Sequence, residues 1–129
     1  MRYLISFNES FRGESIKKDV EDIFYSEVED SGFTIYDCLQ RNSVALKGEM
    51  VFSVQKEVEQ SVFTLVKPFQ LGELEEFIAR LFRWADGSPC AMVLSYGDRM
   101  GFGDIKRGDV VGLAETTVNK LIIRLRVFD

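Results

Sequence analysis

The sequence predicts an α+β fold, in which a single mixed, largely antiparallel sheet is covered by two helices on one face. Two segments repeat their apolar residues with the period of a helix, and they are separated by short runs that alternate or stay apolar as strands do. The ferredoxin-like order βαββαβ can be found within this string, with one or two extra strands. The 129 residues are 46% hydrophobic, which suffices for one core, so we expect a single domain over residues 1–129.

The first half of the chain is expected to contain a strand, a helix and then a group of strands. Residues 3–7 alternate in a way that is typical of a strand. Ser15 is a suitable N-cap for a helix whose apolar stripe runs from Ile16 to Val28 and which Gly32 closes. Strand-like runs follow at residues 33–39, 44–47, 50–55 and 61–67, the last two joined as a hairpin through a turn near residues 56–59.

The second half is expected to contain a strong amphipathic helix and two or three strands. Apolar residues recur with a helical period between Leu71 and Ala85, and Gly87 supplies the stop. Residues 90–96 are nearly all apolar, which predicts a central strand buried on both faces. Residues 110–114 form a possible short strand, and residues 121–128 alternate as a long closing strand.

The composition excludes most familiar catalytic sites. The chain has no histidine, which removes imidazole metal ligands, Ser-His and Cys-His pairs and the commonest general base, so we expect no enzyme and no cofactor. The formal net charge of −5 disfavours direct binding to nucleic-acid phosphates. No apolar run is long enough to span a membrane and the N-terminus lacks a signal-peptide pattern, so we expect a cytoplasmic protein without membrane contact.

The two cysteines, Cys38 and Cys90, each lie in an apolar stretch and are too few for a disulfide-stapled scaffold. We interpret both as small core residues in a reducing compartment. The alternative is a disulfide between Cys38 and Cys90, which requires their strands to be neighbours.

The most unusual segment is the glycine-rich stretch of residues 96–109, YGDRMGFGDIKRGD, which we interpret as a long loop with a functional role. Its candidate partner-binding residues are Arg99, Asp104, Lys106 and Arg107, of which the three cations would anchor an anion or an acidic partner. The alternative is a solvated loop whose Gly-Asp pairs form reverse turns. The glycines do not have the spacing of a phosphate-binding loop, and the aspartates do not have that of a calcium loop.

A second candidate surface is the acidic side of the first helix. Between positions 19 and 30 the chain carries six acids and no base, namely Asp19, Glu21, Asp22, Glu27, Glu29 and Asp30. Acids at the C-terminal end of a helix oppose its macrodipole, so helix stability does not explain the last three. We expect this face to dock on a basic protein surface, such as that of a nucleic-acid-binding protein; the alternative is a solvated face that keeps the protein soluble.

Two further features are open to more than one interpretation. Lys120, Arg124 and Arg126 share the outer face of the closing strand, where they could contact phosphates or pair with acids on a neighbouring strand. Trp84 lies at the polar edge of the second helix, as either a margin of the core or an interface anchor.

These observations predict a non-catalytic protein-binding module, an adaptor, regulator or inhibitor that presents the acidic helix and the Gly/Asp-rich loop to a macromolecular partner. The alternatives are a structural subunit of a homo-oligomeric assembly and a nucleic-acid-binding ferredoxin-like domain. Self-association is favoured by the charge distribution, since residues 1–64 carry 12 acids and 7 bases whereas residues 65–129 carry 9 of each.

Overall fold

The fold was obtained as a computed structural model, which describes residues 2–28, 32–37, 49–88, 90–98 and 101–127. The helices are α1 (Arg2–Val28), α2 (Glu75–Asp86) and α3 (Asp109–Gly112), and a 3-10 turn (Leu71–Leu74) leads into α2. The strands are β1 (Phe33–Asp37), β2 (Glu49–Gln60), β3 (Phe63–Lys67), β4 (Phe69–Gln70), β5 (Cys90–Asp98), β6 (Gly101–Ile105), β7 (Thr117–Val118) and β8 (Lys120–Val127). The predicted α+β class is confirmed.

The main sheet has six strands in the order β1-β2-β8-β5-β6, with β3 paired to the far end of β2. All pairings between described strands are antiparallel, including the separate two-stranded sheet of β4 and β7, so the sheet is not mixed within these ranges. The ferredoxin-like order is not confirmed, because the described chain opens with a helix where that order requires a strand.

Both long helices cover the same face of the main sheet, as predicted. The core is one cluster that combines the apolar stripes of α1 and α2 with the inward residues of the sheet. Alternation in β8 shows the two faces clearly, since Leu121, Ile123 and Leu125 are buried whereas Arg124 and Arg126 are exposed. Between the helices, the rings of Phe24 and Phe77 meet edge to face with centroids 5.6 Å apart.

The predicted strand at residues 3–7 is wrong, since α1 runs through it from Arg2 to Val28. A short apolar run can belong to a helix as well as to a strand, and periodicity over five residues does not separate the two. The same helix ends before the predicted stop at Gly32, whose φ of 82° carries the chain into β1. The carbonyl of Gly32 accepts a hydrogen bond of 3.0 Å from the amide of Glu57.

Three further predictions change in the structure. The hairpin between β2 and β3 turns at Ser61 and Val62, not at residues 56–59, because β2 continues to Gln60. Residues 110–114 lie in α3 and the turn after it, so they form no strand. The strand β5 is buried on one face only, with Val93 52% exposed, because none of the described elements covers the outer side of the sheet. The run at residues 44–47 and Cys38 lie outside the described residues.

No helix in the described ranges has the length and apolar character that crossing a membrane requires.

Candidate interaction surfaces

Two of the predicted acids on α1 bind α2 instead of facing solvent freely. The indole Nε1 of Trp84 donates to Asp19 Oδ2 at 3.2 Å. The guanidinium of Arg80 donates to Glu27 Oε1 at 3.0 Å and to Ser26 Oγ at 2.9 Å. These contacts give Glu27 a role in holding the two helices together, which corrects the expectation that an external partner is needed to explain it.

The remaining acids of this set are divided. Glu21 lies 4.0 Å from Lys17 Nζ, one helical turn earlier, and the same lysine lies 3.4 Å from Asp37 Oδ2 on β1. Asp22 is exposed. Glu29 and Asp30 lie outside the described residues. Among the predicted acids in the described part of α1, Asp22 is therefore the one whose carboxylate makes neither an ion pair nor a side-chain hydrogen bond.

An open groove of about 550 Å³ lies between α1 and α2. It is lined by Asp19, Asp22, Ile23, Arg80, Arg83 and Trp84. Trp84 packs against the core and also donates its N–H to α1, so it acts as a margin of the core that joins two helices. The groove is wide, mixes both signs of charge and holds no pair of groups arranged as a nucleophile and a base.

The glycine-rich segment is a hairpin and not the predicted loop. Residues up to Asp98 continue β5, and Gly101–Ile105 returns as β6. Ser95 Oγ donates to Asp104 Oδ1 at 3.3 Å across this hairpin, so Asp104 sits on the outer face of the sheet. Arg99 lies outside the described residues.

After β6 the chain turns onto the end of α2, and Arg107 makes that connection. Its guanidinium donates to the carbonyl oxygen of Phe82 at 3.3 Å, lies over the ring of the same residue and binds the carboxylate of Asp86. This hydrogen bond from Arg107 holds the pKa of Asp86 below its ordinary value. The amide of Lys106 donates to Asp109 Oδ2 at 3.0 Å, which closes the turn before α3, while the Lys106 side chain is exposed. Arg107, which was predicted as an anion anchor, thus already pairs with a carboxylate of its own chain, although its side chain is exposed.

The structure does not join the acidic set and the hairpin set into one surface. Residues four apart on a helix lie on the same side. Arg80 and Trp84, which contact α1, therefore lie on one flank of the buried stripe of α2, and Phe82 and Asp86, which contact Arg107, lie on the other flank.

The outer face of β8 carries two exposed arginines, as predicted. Arg124 faces Val51 and Val93 on the neighbouring strands, and Arg126 faces Glu49 in register. Lys120 is the exception, since its ammonium lies over the ring of Phe102 at 5.4 Å from the centroid.

No cluster of three or more potential metal-ligating side chains occurs among the residues that the structure describes. The thiol of Cys90 is free and buried, and its burial raises its pKa, which lowers the fraction of reactive thiolate.

The most exposed apolar region of the described residues is the hairpin of residues 57–67, at the end of β2 and in β3, which was not predicted as a binding surface from the sequence. We call it the arm. Val62 is 92% exposed at its tip, Phe63 is 59% exposed, and Leu65 and Val66 are each 43% exposed. Every side chain of β3 is exposed.

The arm extends past the strands that flank β2. The pairing of β2 with β8 ends at Val54, and its pairing with β1 ends at Lys56. From Glu57 onward, β3 is the only strand paired with β2 in the described chain. Such a two-stranded extension is marginally stable in water and leaves unpaired backbone groups on an edge.

The base of the arm is fastened to the domain. Lys56 Nζ binds Glu73 Oε1 at 2.9 Å and lies over the ring of Phe33. The other oxygen of Glu73 accepts from the amide of Gln70 at 2.9 Å. The hydrogen bond from Lys56 holds the pKa of Glu73 below its ordinary value, although partial burial opposes the shift. The base of the arm is thus bonded to the domain, whereas the apolar side chains at its tip are exposed.

One signal in the sequence could have identified the arm. Residues 62, 63, 65 and 66 are all apolar and so occupy both faces of a strand, whereas a half-solvated strand alternates with polar residues. A strand of this kind must be covered on both faces or form an interface.

Comparison of the whole chain with protein-family models, with curated proteins and with solved structures gave no match in any of the three.

Proposed function

We propose that this protein is a non-catalytic protein-binding module and that its main binding surface is the arm. The observation that carries the proposal is the exposure of Val62, Phe63, Leu65 and Val66 on one projecting hairpin. Contiguous exposed apolar side chains are typical of protein interfaces. Burying the exposed half of a side chain such as Phe63 contributes on the order of 1 kcal/mol.

The chemistry of the arm favours a protein over other partners. Its edge presents backbone N–H and C=O groups, which another strand can pair with directly. Glu57 and Glu59 lie on the same face as Val66 and would repel phosphates of nucleic acids or of anionic lipids. A projecting hairpin also lacks the concave shape of a small-molecule site.

The class of function is the one predicted from the sequence, but the main binding surface is the arm in place of the acidic helix and the Gly/Asp-rich segment. Asp19, Glu27 and Arg107 have partners within the protein, so they are less available to another molecule. Asp22 on α1 and Lys106 before α3 keep accessible side chains and can add secondary contacts.

The test compares two matched variants of the full chain. Phe63→Thr removes an exposed aromatic ring from the arm, and Phe102→Thr removes one, 70% exposed, from the edge strand β6. Each variant and the wild type is immobilised for capture from source lysate and is also analysed by sedimentation for self-association. We expect Phe63→Thr to lose a stoichiometrically bound protein, whether foreign or a second copy, that Phe102→Thr retains. If both variants bind as the wild type does, or if the wild type binds nothing and stays monomeric, the proposal is wrong.

A further inference from the structure

We propose that the partner of the arm is a second copy of this chain, which pairs its β3 with β3 in antiparallel fashion about Leu65. This inference rests on the proposed function and specifies its partner. A two-fold axis at Leu65 would join the two arms into one four-stranded sheet with the order β2-β3-β3-β2.

The backbone of β3 has its free hydrogen-bonding groups in the positions that this pairing requires. In a hairpin with a two-residue turn, the flanking residues Gln60 and Phe63 are bonded to each other. Bonded and non-bonded pairs alternate along an antiparallel ladder, so the N–H and C=O groups of Thr64 and Val66 point away from β2. With the axis at Leu65, Thr64 of each copy faces Val66 of the other, and these two pairs exchange four hydrogen bonds.

The register also avoids opposed like charges. The only charged residue of β3 is Lys67, and the two-fold axis places it opposite Phe63 of the second copy. An ammonium beside an aromatic ring is a favourable contact, and both residues lie near the ends of the paired strands. Self-pairing of this strand therefore needs no charge to be neutralised or buried.

The apolar residues gather at the centre of the proposed interface. Val58 faces Leu65 within the arm, so the axis produces a row of four aliphatic side chains, two from each copy, with a phenylalanine on either side. Glu57 and Glu59 lie on the opposite face and one strand away from the axis. An apolar centre with charges at the margin is the usual composition of a protein interface.

The other edge strands are poorer candidates for the same contact. On β6, a two-fold axis at Gly103 would oppose Phe102 with Asp104, a carboxylate bonded to Ser95. The side chains of β1 are all partly buried in the domain, and an axis at Ile35 would oppose Phe33 with Asp37. Among these three edges, β3 alone combines exposed aliphatic side chains with a register free of carboxylates.

The first experiment uses a cysteine at the axis. The two Leu65 residues would form a non-bonded pair with Cα atoms about 4.5 Å apart, which is within the range of a disulfide. We expect Leu65→Cys to form an intermolecular disulfide on mild oxidation, identified by mass spectrometry as two linked copies of tryptic peptide 57–80, since trypsin does not cleave between Lys67 and Pro68. Phe102→Cys, a control at a more exposed position on β6, should remain largely uncrosslinked.

The second experiment measures the mass of the wild type and of charge variants by sedimentation equilibrium. We expect the wild type to reach twice the chain mass of 14.8 kDa with rising concentration. Leu65→Lys opposes two ammonium groups at the axis and should weaken the dimer at least tenfold, while Val93→Lys on the outer face of β5 should not. Circular dichroism establishes that both variants are folded.

The outcomes separate this inference from the proposed function. A wild type that stays monomeric, or a dimer that Leu65→Lys leaves intact, overturns the self-pairing. If the wild type is monomeric but captures a foreign protein through Phe63, the protein-binding function stands and its partner is not a second copy. If neither a dimer nor Phe63-dependent capture is found, both proposals fail.

Discussion

Replacing Gly103 by alanine tests how the β5–β6 hairpin is packed. Gly103 lies directly opposite Tyr96 in the register, and the tyrosine ring occupies the space above the glycine. A Cβ atom built on Gly103 would lie 2.5 Å from both Cζ and the hydroxyl oxygen of Tyr96. Since carbon atoms make contact at about 3.5–4.0 Å, the ring has to move by roughly 1 Å or more.

The expected cost follows from what the ring loses when it moves. Tyr96 is partly buried and packs against the core, so displacing it is an overpacking defect, with a typical cost of about 1–3 kcal/mol. Unfolding entropy is about 2.1 cal/mol/K per residue, or about 0.27 kcal/mol/K for 129 residues. We therefore expect Gly103→Ala to lower Tm by about 4–11 °C.

The assay is thermal and urea unfolding followed by circular dichroism, in a double-mutant cycle with Tyr96→Ala. Once the ring is absent, Gly103→Ala should cost nothing or stabilise by about 0.5–1 kcal/mol, because alanine loses less backbone entropy than glycine. The cycle should then give a coupling of at least about 1 kcal/mol.

Gly112→Ala is the matched control, since a Cβ there meets no atom within 4 Å. It should leave Tm unchanged or raise it slightly. Equal effects of Gly103→Ala with and without the tyrosine ring would refute the reasoning.

Three other predictions concern charges and the buried thiol. A hydrogen bond from Lys56 lowers the pKa of Glu73 in the folded protein, so this contact stabilises the fold above the ordinary carboxyl pKa and stops doing so as the pH falls through the pKa of the folded state. Lys56→Met should therefore raise the pKa of Glu73 in an NMR titration, and it should lower Tm near neutral pH but not in acid. Glu27→Lys places a cation beside Arg80 of α2 and should lower the free energy of unfolding in urea by about 0.5–1 kcal/mol. Asp22→Lys breaks no described ion pair and should change it by less than about 0.5 kcal/mol. Equal losses in the two variants would contradict a stabilising contact between Glu27 and Arg80. The Cys90 peptide should be alkylated far more slowly in the native protein than in urea, and equal rates by mass spectrometry would show that the thiol is accessible.

Much of the secondary structure could be predicted from local patterns. The helical stripe that begins at Leu71 and the alternation in residues 121–127 both correspond to observed elements, because the faces that they bury repeat within a few residues. The errors occur where local patterns are ambiguous. Residues 3–7 read as a strand because five residues are too few to separate two periods, and residues 96–109 read as a loop because glycine is common in turns.

The candidate site was less predictable than the elements. The excess of acids on the first helix is visible in the sequence, but the contacts of Glu27 with Arg80 and of Asp19 with Trp84 involve residues more than 50 positions away. Arg107 likewise finds Asp86 and the end of α2 only in the folded chain. Side-chain partners of this kind depend on packing, so charge patterns along the sequence do not reveal which charges are free.

Composition and local periodicity suffice to predict the α+β class, the single apolar core and the absence of histidine chemistry. Which apolar residues of the described chain stay exposed depends instead on how distant segments pack. Phe63 and Leu65 have the same local pattern as buried strand residues elsewhere, and they are exposed because the neighbouring strands end before reaching them. The length of a neighbouring strand is a property of distant segments, so the sequence shows that this strand is apolar on both faces but not that it stays exposed in the folded protein.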